Sequence, residues 1–305
     1  MSKSVLIIAG EISGDMHGAN LVAELRRQDP DVECYGIGGE HMRAAGVDTL
    51  YDVRDMAVMG FVEVVRHYGF FKRVFQEMTD LVRMRKPDLV VLIDYPGFNL
   101  RFAKVVRQLK VRVVYYICPQ VWAWHRSRIG LMAQLVKRLI VIFPFEKDVF
   151  AETSLKIDFV GHPLVDEIRK ELAAPEPALP WKGPSRVALL PGSRRQEVER
   201  ILPTMMSAAA LLEKRKPGTS FILAAPSEEI ADLIRRMLDG LTVKPWVCEI
   251  VVGQTRQVLR QARAAIVASG TATVETALLG CPMIVVYKAA ALTYFFGRLL
   301  VKIPH

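Results

Sequence analysis

Four cysteines serve 305 residues, and no two lie close in sequence. Cys34, Cys118, Cys248 and Cys281 form no CxxC pair, which argues against a zinc site or a disulfide framework and points to a reducing compartment, the cytoplasm. No apolar run approaches the roughly 18 residues that a membrane-spanning helix needs. The run from Val5 to Ala9 is too short for a signal peptide and meets Glu11 almost at once. Sequence repeats and low-complexity tracts are also lacking. Acidic residues are outnumbered, 32 against 41 lysines and arginines, for a net charge of +9. That balance points to anionic partners: phosphorylated substrates, nucleic acid or an acidic membrane surface.

Apolar sequence is abundant, at 51% of residues, and the length suits about two domains. Short β-rich runs alternate with helical patterns. Candidate strands are 4–9, 32–37, 89–93, 112–117, 139–142 and 157–160 in the first half, then 186–190, 220–224, 247–252, 264–268 and 283–287. Such alternation implies parallel sheets built from βαβ crossovers. Four prolines between Glu171 and Pro184 mark a linker over 171–185. The expected architecture is α/β: two Rossmann-like, doubly wound domains, 1–170 and 186–305, facing each other across a cleft. Ligands of such sheets sit beyond the carboxyl ends of the strands, so the loops there are the ones to read.

In the second half, Ser269-Gly270-Thr271-Ala272-Thr273-Val274-Glu275 follows the apolar run 264–268 and opens a helical pattern. Strand, glycine turn and helix start make a phosphate seat, because helix-terminal N–H groups point outward with partial positive charge. Glu275, one turn in, suits the paired hydroxyls of a ribose or sugar. Together they suggest a nucleotide. Gly192-Ser193-Arg194-Arg195 follows the strand at 186–190. Gly192 lets backbone approach a ligand, Ser193 can cap the helix, and one of the arginines can clamp a diphosphate. The competing reading is solvated charge on a helix start. Metal is not expected, since the only Asp-x-Asp pair, Asp29-Pro30-Asp31, precedes a strand at the amino end of the sheet.

In the first half, Gly10-Glu11-Ile12-Ser13-Gly14-Asp15 resembles a dinucleotide fingerprint only loosely, and Glu11 would repel a pyrophosphate. It reads as a tight turn with a Ser13 or Asp15 cap, or as a cleft wall meeting a sugar. Asp94 ends the apolar strand 89–93; partial desolvation would raise its proton affinity toward that of a general base. Alternatively it ties a Pro-Gly turn together, with Asn99 as a helix cap. Trp122, Trp124 and His125 crowd the loop after 112–117, fit to stack on a sugar or to pack together. One local cluster is not a basic stripe, so nucleic acid is not expected. Between Val58 and Met78, apolar residues recur with helical spacing, with Gly69 as a break. Met59, Val62 and Phe70 add more bulk than one core-facing stripe needs, and the flanking cations fit docking on an anionic bilayer.

Eight segments resemble, in order along the chain, the lipid-A-disaccharide synthase family: Ala9-Gly10-Glu11-Ile12-Ser13-Gly14-Asp15, Met56-Ala57-Val58-Met59-Gly60, Ile93-Asp94-Tyr95-Pro96-Gly97-Phe98-Asn99, Pro119-Gln120-Val121-Trp122-Ala123-Trp124, Phe143-Pro144-Phe145-Glu146, Val160-Gly161-His162-Pro163, Leu189-Leu190-Pro191-Gly192-Ser193-Arg194 and Ala268-Ser269-Gly270-Thr271-Ala272. The resemblance implies a GT-B glycosyltransferase, peripheral on the inner membrane of Gram-negative bacteria. It would join UDP-2,3-diacylglucosamine to 2,3-diacylglucosamine 1-phosphate through a β-1,6 bond, releasing UDP with inversion and with no metal or cofactor. By the same resemblance Asp94 is the base for the acceptor 6-hydroxyl, and Arg194 holds the UDP phosphates with Gly192 and Ser193 beside it. Ser269, Gly270, Thr271 and Ala272 form the pyrophosphate turn, and Glu275 accepts the ribose. Glu11, Ser13, Gly14, Asp15, Trp122 and His125 would line the acceptor side. Met59, Phe61, Val62, Val65, Phe70, Phe71 and Val74 would form a membrane patch. Some relatives carry a second Asp where this chain has Gly97. Relatives also continue past the position of His305 with a Leu-Pro-Asn element and final helices, so 186–305 is expected to be an incomplete domain, and a homodimer is implied for the longer protein.

Overall fold

The computed structural model describes residues 3–56, 68–122 and 126–288. The first strand, β1 (Ser4–Ala9), leads through α1 (Ile12–Gln28) to β2 (Glu33–Gly38), then through α2 (Glu40–Ala44) to β3 (Asp48–Asp52) and α3 (Val53–Met56). The chain continues with α4 (Tyr68–Arg85), β4 (Leu89–Ile93), α5 (Pro96–Gln108), β5 (Arg112–Tyr116), α6 (Arg128–Leu135), β6 (Arg138–Val141), α7 (Glu146–Val149) and β7 (Lys156–Phe159). All seven strands run parallel, in the order β3-β2-β1-β4-β5-β6-β7. Period-two alternation explains why helices cover both faces: Leu6 and Ile8 of β1 join one core cluster, while Val5, Ile7 and Ala9 join another.

A second compact unit begins at Leu164, the first ending at Pro163. It holds α8 (Leu164–Ala173), β8 (Ser185–Leu190), α9 (Arg195–Arg215), β9 (Thr219–Ala225), α10 (Glu228–Gly240), β10 (Cys248–Val252), α11 (Thr255–Gln261), β11 (Ala264–Ala268), α12 (Thr271–Leu278) and β12 (Met283–Val286). Its five strands are parallel, in the order β10-β9-β8-β11-β12. Alternation recurs in β8, with Val187 and Leu189 on one side and Ala188 and Leu190 on the other.

All eleven expected strands form, within a residue or so at either end. One more, β3, was not expected: it carries aspartate at both ends and pairs only at the sheet edge, so it offers no apolar run to read. The proline-rich stretch is not a free tether. Arg260 on α11 donates to the carbonyl of Ala174 (3.1 Å), Gln261 to that of Pro177 (2.7 Å), and the indole of Trp181 to Gln261 (3.1 Å). Gln257 holds the Glu171 carboxylate at 3.0 Å.

In each sheet the strand order reverses once. The chain moves outward from β1 to β2 and β3, then returns to lay β4 on the other side; likewise β8 to β9 and β10, then β11. The carboxyl ends of β1 and β4, and of β8 and β11, are therefore the two switch points at which the loops splay apart and leave room for a ligand.

Candidate functional site

Asp94 lies at the first switch point. Ile93 pairs with Ala9, so the loops after β4 and β1 emerge side by side and bring Asp94 and Glu11 together. Asp94 and Tyr95 both have left-handed backbones, φ +43° and +48°, a conformation costing about 1–2 kcal/mol per non-glycine residue and stable only when neighbours enforce it. Here the neighbours do. The Asp94 N–H donates to the Tyr116 carbonyl (3.2 Å), and the Asp94 carbonyl accepts from the Tyr115 hydroxyl and the Asn99 amide (2.8 Å). The Tyr95 hydroxyl reaches the Met56 carbonyl (3.0 Å) while its ring lies where a side chain at Gly10 would be, the nearest ring atom 2.1 Å from that Cβ position. Burial pushes the Asp94 carboxyl up from 3.8 to about 6, with the Glu11 carboxylate adding to the rise and a backbone N–H of Tyr95 opposing it. Asn99 is fully buried inside α5, and its amide also holds the Ile93 carbonyl (3.2 Å). It is a brace for the turn rather than the expected cap.

The other first-unit candidates separate by burial. Ser13 is half-buried beside Gly14, which packs on Ala9 and Ile93. Asp15 does not face a substrate: it is 2% exposed, and its oxygens accept from the N–H groups of Gly39 (2.6 Å), His41 (3.0 Å) and Met42 (3.0 Å). Nor does it cap its own helix; it supplies the cap that Gly39 lacks at the start of α2. Trp122 is half-buried with its ring edge-on to Phe145 at 5.2 Å, and Phe143 stacks on Phe145 at 5.7 Å. His125 lies outside the described residues, as do Met59, Phe61, Val62 and Val65. Val74, expected in a membrane patch, is fully buried in the core, because it falls on the inward row of α4. Phe70 and Phe71 are half-buried and pack against that core.

The second switch point brings Gly192-Ser193-Arg194, after β8, beside Ser269-Gly270, after β11. Gly192 has φ +123°, and a Cβ there would come within 2.8 Å of Glu197. Glu197 went unnoticed in the sequence, although a carboxylate in the first turn of a helix is a cap signature. It accepts from the Ser193 N–H (3.3 Å) and lies 3.5 Å from the Arg194 guanidinium, an exposed pair that a stronger anion can displace. At α12, Ser269, Gly270 and Thr271 are exposed, and no side chain caps the helix. The first amides of a helix have no intrahelical partner, which leaves this end open to an anion. Glu275 is half-buried and accepts from Arg256 (2.8 Å), whose other nitrogen reaches Glu167 on α8 (2.6 Å). Nothing in the sequence linked Arg256 to Glu275; only the packing of α8, α11 and α12 does.

Two parallel, doubly wound units in one chain, each with a crevice at its switch point, define an α/β protein of the GT-B type. Solved structures agree: the chain superimposes on the UDP-GlcNAc 2-epimerase of Neisseria meningitidis bound to UDP-GlcNAc with TM-score 0.62 at 15% identity, covering 92% of this chain and 82% of that one. The calicheamicin glycosyltransferase CalG4 gives 0.56 at 16%, covering 94% and 79%. At such identities the likeness concerns the fold. The family model for lipid-A-disaccharide synthetase, LpxB, matches residues 5–305, and the chain belongs to that family. It is 44% identical over 312 residues to the lipid-A-disaccharide synthase of Geobacter metallireducens, covering 100% of this chain and 79% of the relative. That of Koribacter versatilis is 45% identical over 312 residues, with 98% and 78% covered. The activity is thus that of a lipid-A-disaccharide synthase, glycosyl transfer in lipid A biosynthesis.

Proposed function

We propose that Asp94 is the base of this transfer: it takes the proton of the acceptor 6-hydroxyl as that oxygen attacks the anomeric carbon of the donor and UDP departs. The observation that carries this reading is the position of Asp94 at the first switch point with proton affinity raised to about 6. Such a group is ionised at neutral pH yet basic enough to accept a proton. Glu11 stands beside it as a second carboxylate, suited to hold a neighbouring sugar hydroxyl. In the second unit, Arg194 and the open end of α12 at Ser269–Ala272 would take the UDP phosphates, and Glu275, aimed by Arg256, the ribose diol. Departure of UDP needs charge stabilisation, and losing one such contact costs about 3 kcal/mol, roughly a hundredfold in rate.

The reading extends to an inner-leaflet membrane surface. Tyr68 is 64% exposed, Lys72 and Arg73 are exposed beside half-buried Phe70 and Phe71, and these open α4, inside the segment that begins at Met59 and is assigned to the membrane by resemblance. No described helix is long and apolar enough to cross a bilayer. A soluble epimerase shares the fold, but the family match favours transfer. The deciding experiment supplies acylated donor and acceptor to wild type and Asp94→Asn. Turnover should fall at least about a hundredfold in the variant while UDP affinity is unchanged; near-normal turnover rejects Asp94 as the base.

A further inference from the structure

One face of the first unit's sheet is covered by α4, α5 and α6, with α5 in the middle. The inward row of α5 is fully committed to the core through Phe98, Phe102 and Val106. Its outward row is Gly97, Arg101, Lys104 and Arg107, all exposed. These three cations make no ion pair or side-chain hydrogen bond among the described residues. The row runs on into an open groove of about 360 Å³ where Arg107 meets Lys110, Arg112 and Lys137. Of the acids on flanking elements, Asp80 is paired with Arg83 (2.8 Å), and Glu77 and Asp88 accept from the Tyr51 hydroxyl and the Ser4 N–H (2.9 Å), not from this row. A solvated helix face normally intersperses charges of both signs; this row carries three cations and no acid.

We propose that the outward face of α5, with its groove, is an electrostatic docking surface for an anionic phospholipid bilayer, an inference that rests on the membrane-surface reading above. Charge complementarity supplies the attraction, about fivefold in affinity for each basic residue near the headgroups at low salt. The row carries no aromatic side chain on which a nucleic-acid base could stack, which favours lipid over single-stranded RNA. Moreover, α5 begins two residues after Asp94, so docking along it sets the base at the margin of the bilayer that holds the acylated substrates.

The test is co-sedimentation of the 305-residue chain with phosphatidylcholine vesicles, alone or with about one third phosphatidylglycerol. Wild type should bind the mixed vesicles and lose binding as salt rises. The triple variant Arg101→Gln, Lys104→Gln, Arg107→Gln should bind them on the order of a hundredfold more weakly with an unchanged melting temperature. A control, Lys214→Gln, Arg215→Gln, Arg236→Gln, removes the same charge from the second unit and should bind as wild type. Equal binding by the α5 variant, or an equal loss in the control, overturns the proposal. So does tighter binding of polyuridylic acid than of vesicles that vanishes in the α5 variant. Asp94→Asn should dock normally, and the α5 variant should turn over acylated substrates in neutral detergent micelles, so failure of docking and failure of the catalytic reading are separable.

Discussion

Asp94 is costly to keep. Its carboxyl titrates near 3.8 in the unfolded chain and at about 6 in the folded one. Between those pH values the native state retains a proton that the unfolded chain has released, so the group's effect is to lower stability as pH rises through that window, by about 2–3 kcal/mol in total. Two results follow from one substitution. Asp94→Asn should lose at least about a hundredfold in turnover, and the acid limb of the rate profile near pH 6 should disappear with it. The same variant should be more stable than wild type by about 2–3 kcal/mol at pH 8 and no more stable at pH 4, as read by denaturant unfolding at both. A variant equally stable at pH 8 would mean that Asp94 is well solvated and its proton affinity ordinary. The candidate itself was legible, because an acid closing a wholly apolar strand stands out. Its support was not: Tyr115 lies on the next strand and reaches the Asp94 carbonyl only because β4 pairs with β5, while Asn99 looks like an ordinary cap residue and instead turns back from α5 to the same carbonyl.

At the scale of elements, contacts distant in sequence decide what local pattern cannot. Asp15 sits within α1 yet satisfies the N-terminus of α2, a five-residue helix too short to persist alone. Asp15→Ala strands three N–H groups, two of the three bonds being buried, and should cost about 3 kcal/mol in urea unfolding; Asp15→Asn, which keeps one acceptor oxygen, should cost less. Equal losses would show that charge and not acceptor count matters there. The proline-rich stretch teaches the same lesson. Its composition reads as a tether, and composition cannot reveal that Arg260, 8% exposed at its side chain, grips the carbonyl of Ala174 and the carboxylate of Glu171. Arg260→Ala should make 174–184 a site of rapid cleavage in limited proteolysis, whereas wild type resists cutting there. If both are cut at the same rate, the grip contributes no order.

At the scale of the whole molecule, eleven of the twelve described strands and their parallel pairing follow from the spacing of apolar runs, since a βαβ chain has few ways to lay its strands, whereas β3 offers no such run. What spacing could not supply was the division of labour between hydrophobic cores. Among the described residues, the buried members of the first unit's clusters run from Val5 to Leu155 and those of the second unit's from Val187 to Cys281. Separate cores should melt as separate transitions. The functional assignment then makes the two transitions respond to different perturbations. UDP at about a hundred times its dissociation constant should stabilise only the second unit, by about 2.7 kcal/mol, which raises its melting temperature by several degrees. Asp94→Asn at pH 8 should raise only the first. Differential scanning calorimetry on wild type and variant, with and without UDP, reads all four cases. One transition that moves as a whole under either perturbation would mean that the units share their stability; a rise of the first transition alone with UDP would move the nucleotide site away from Arg194 and the start of α12.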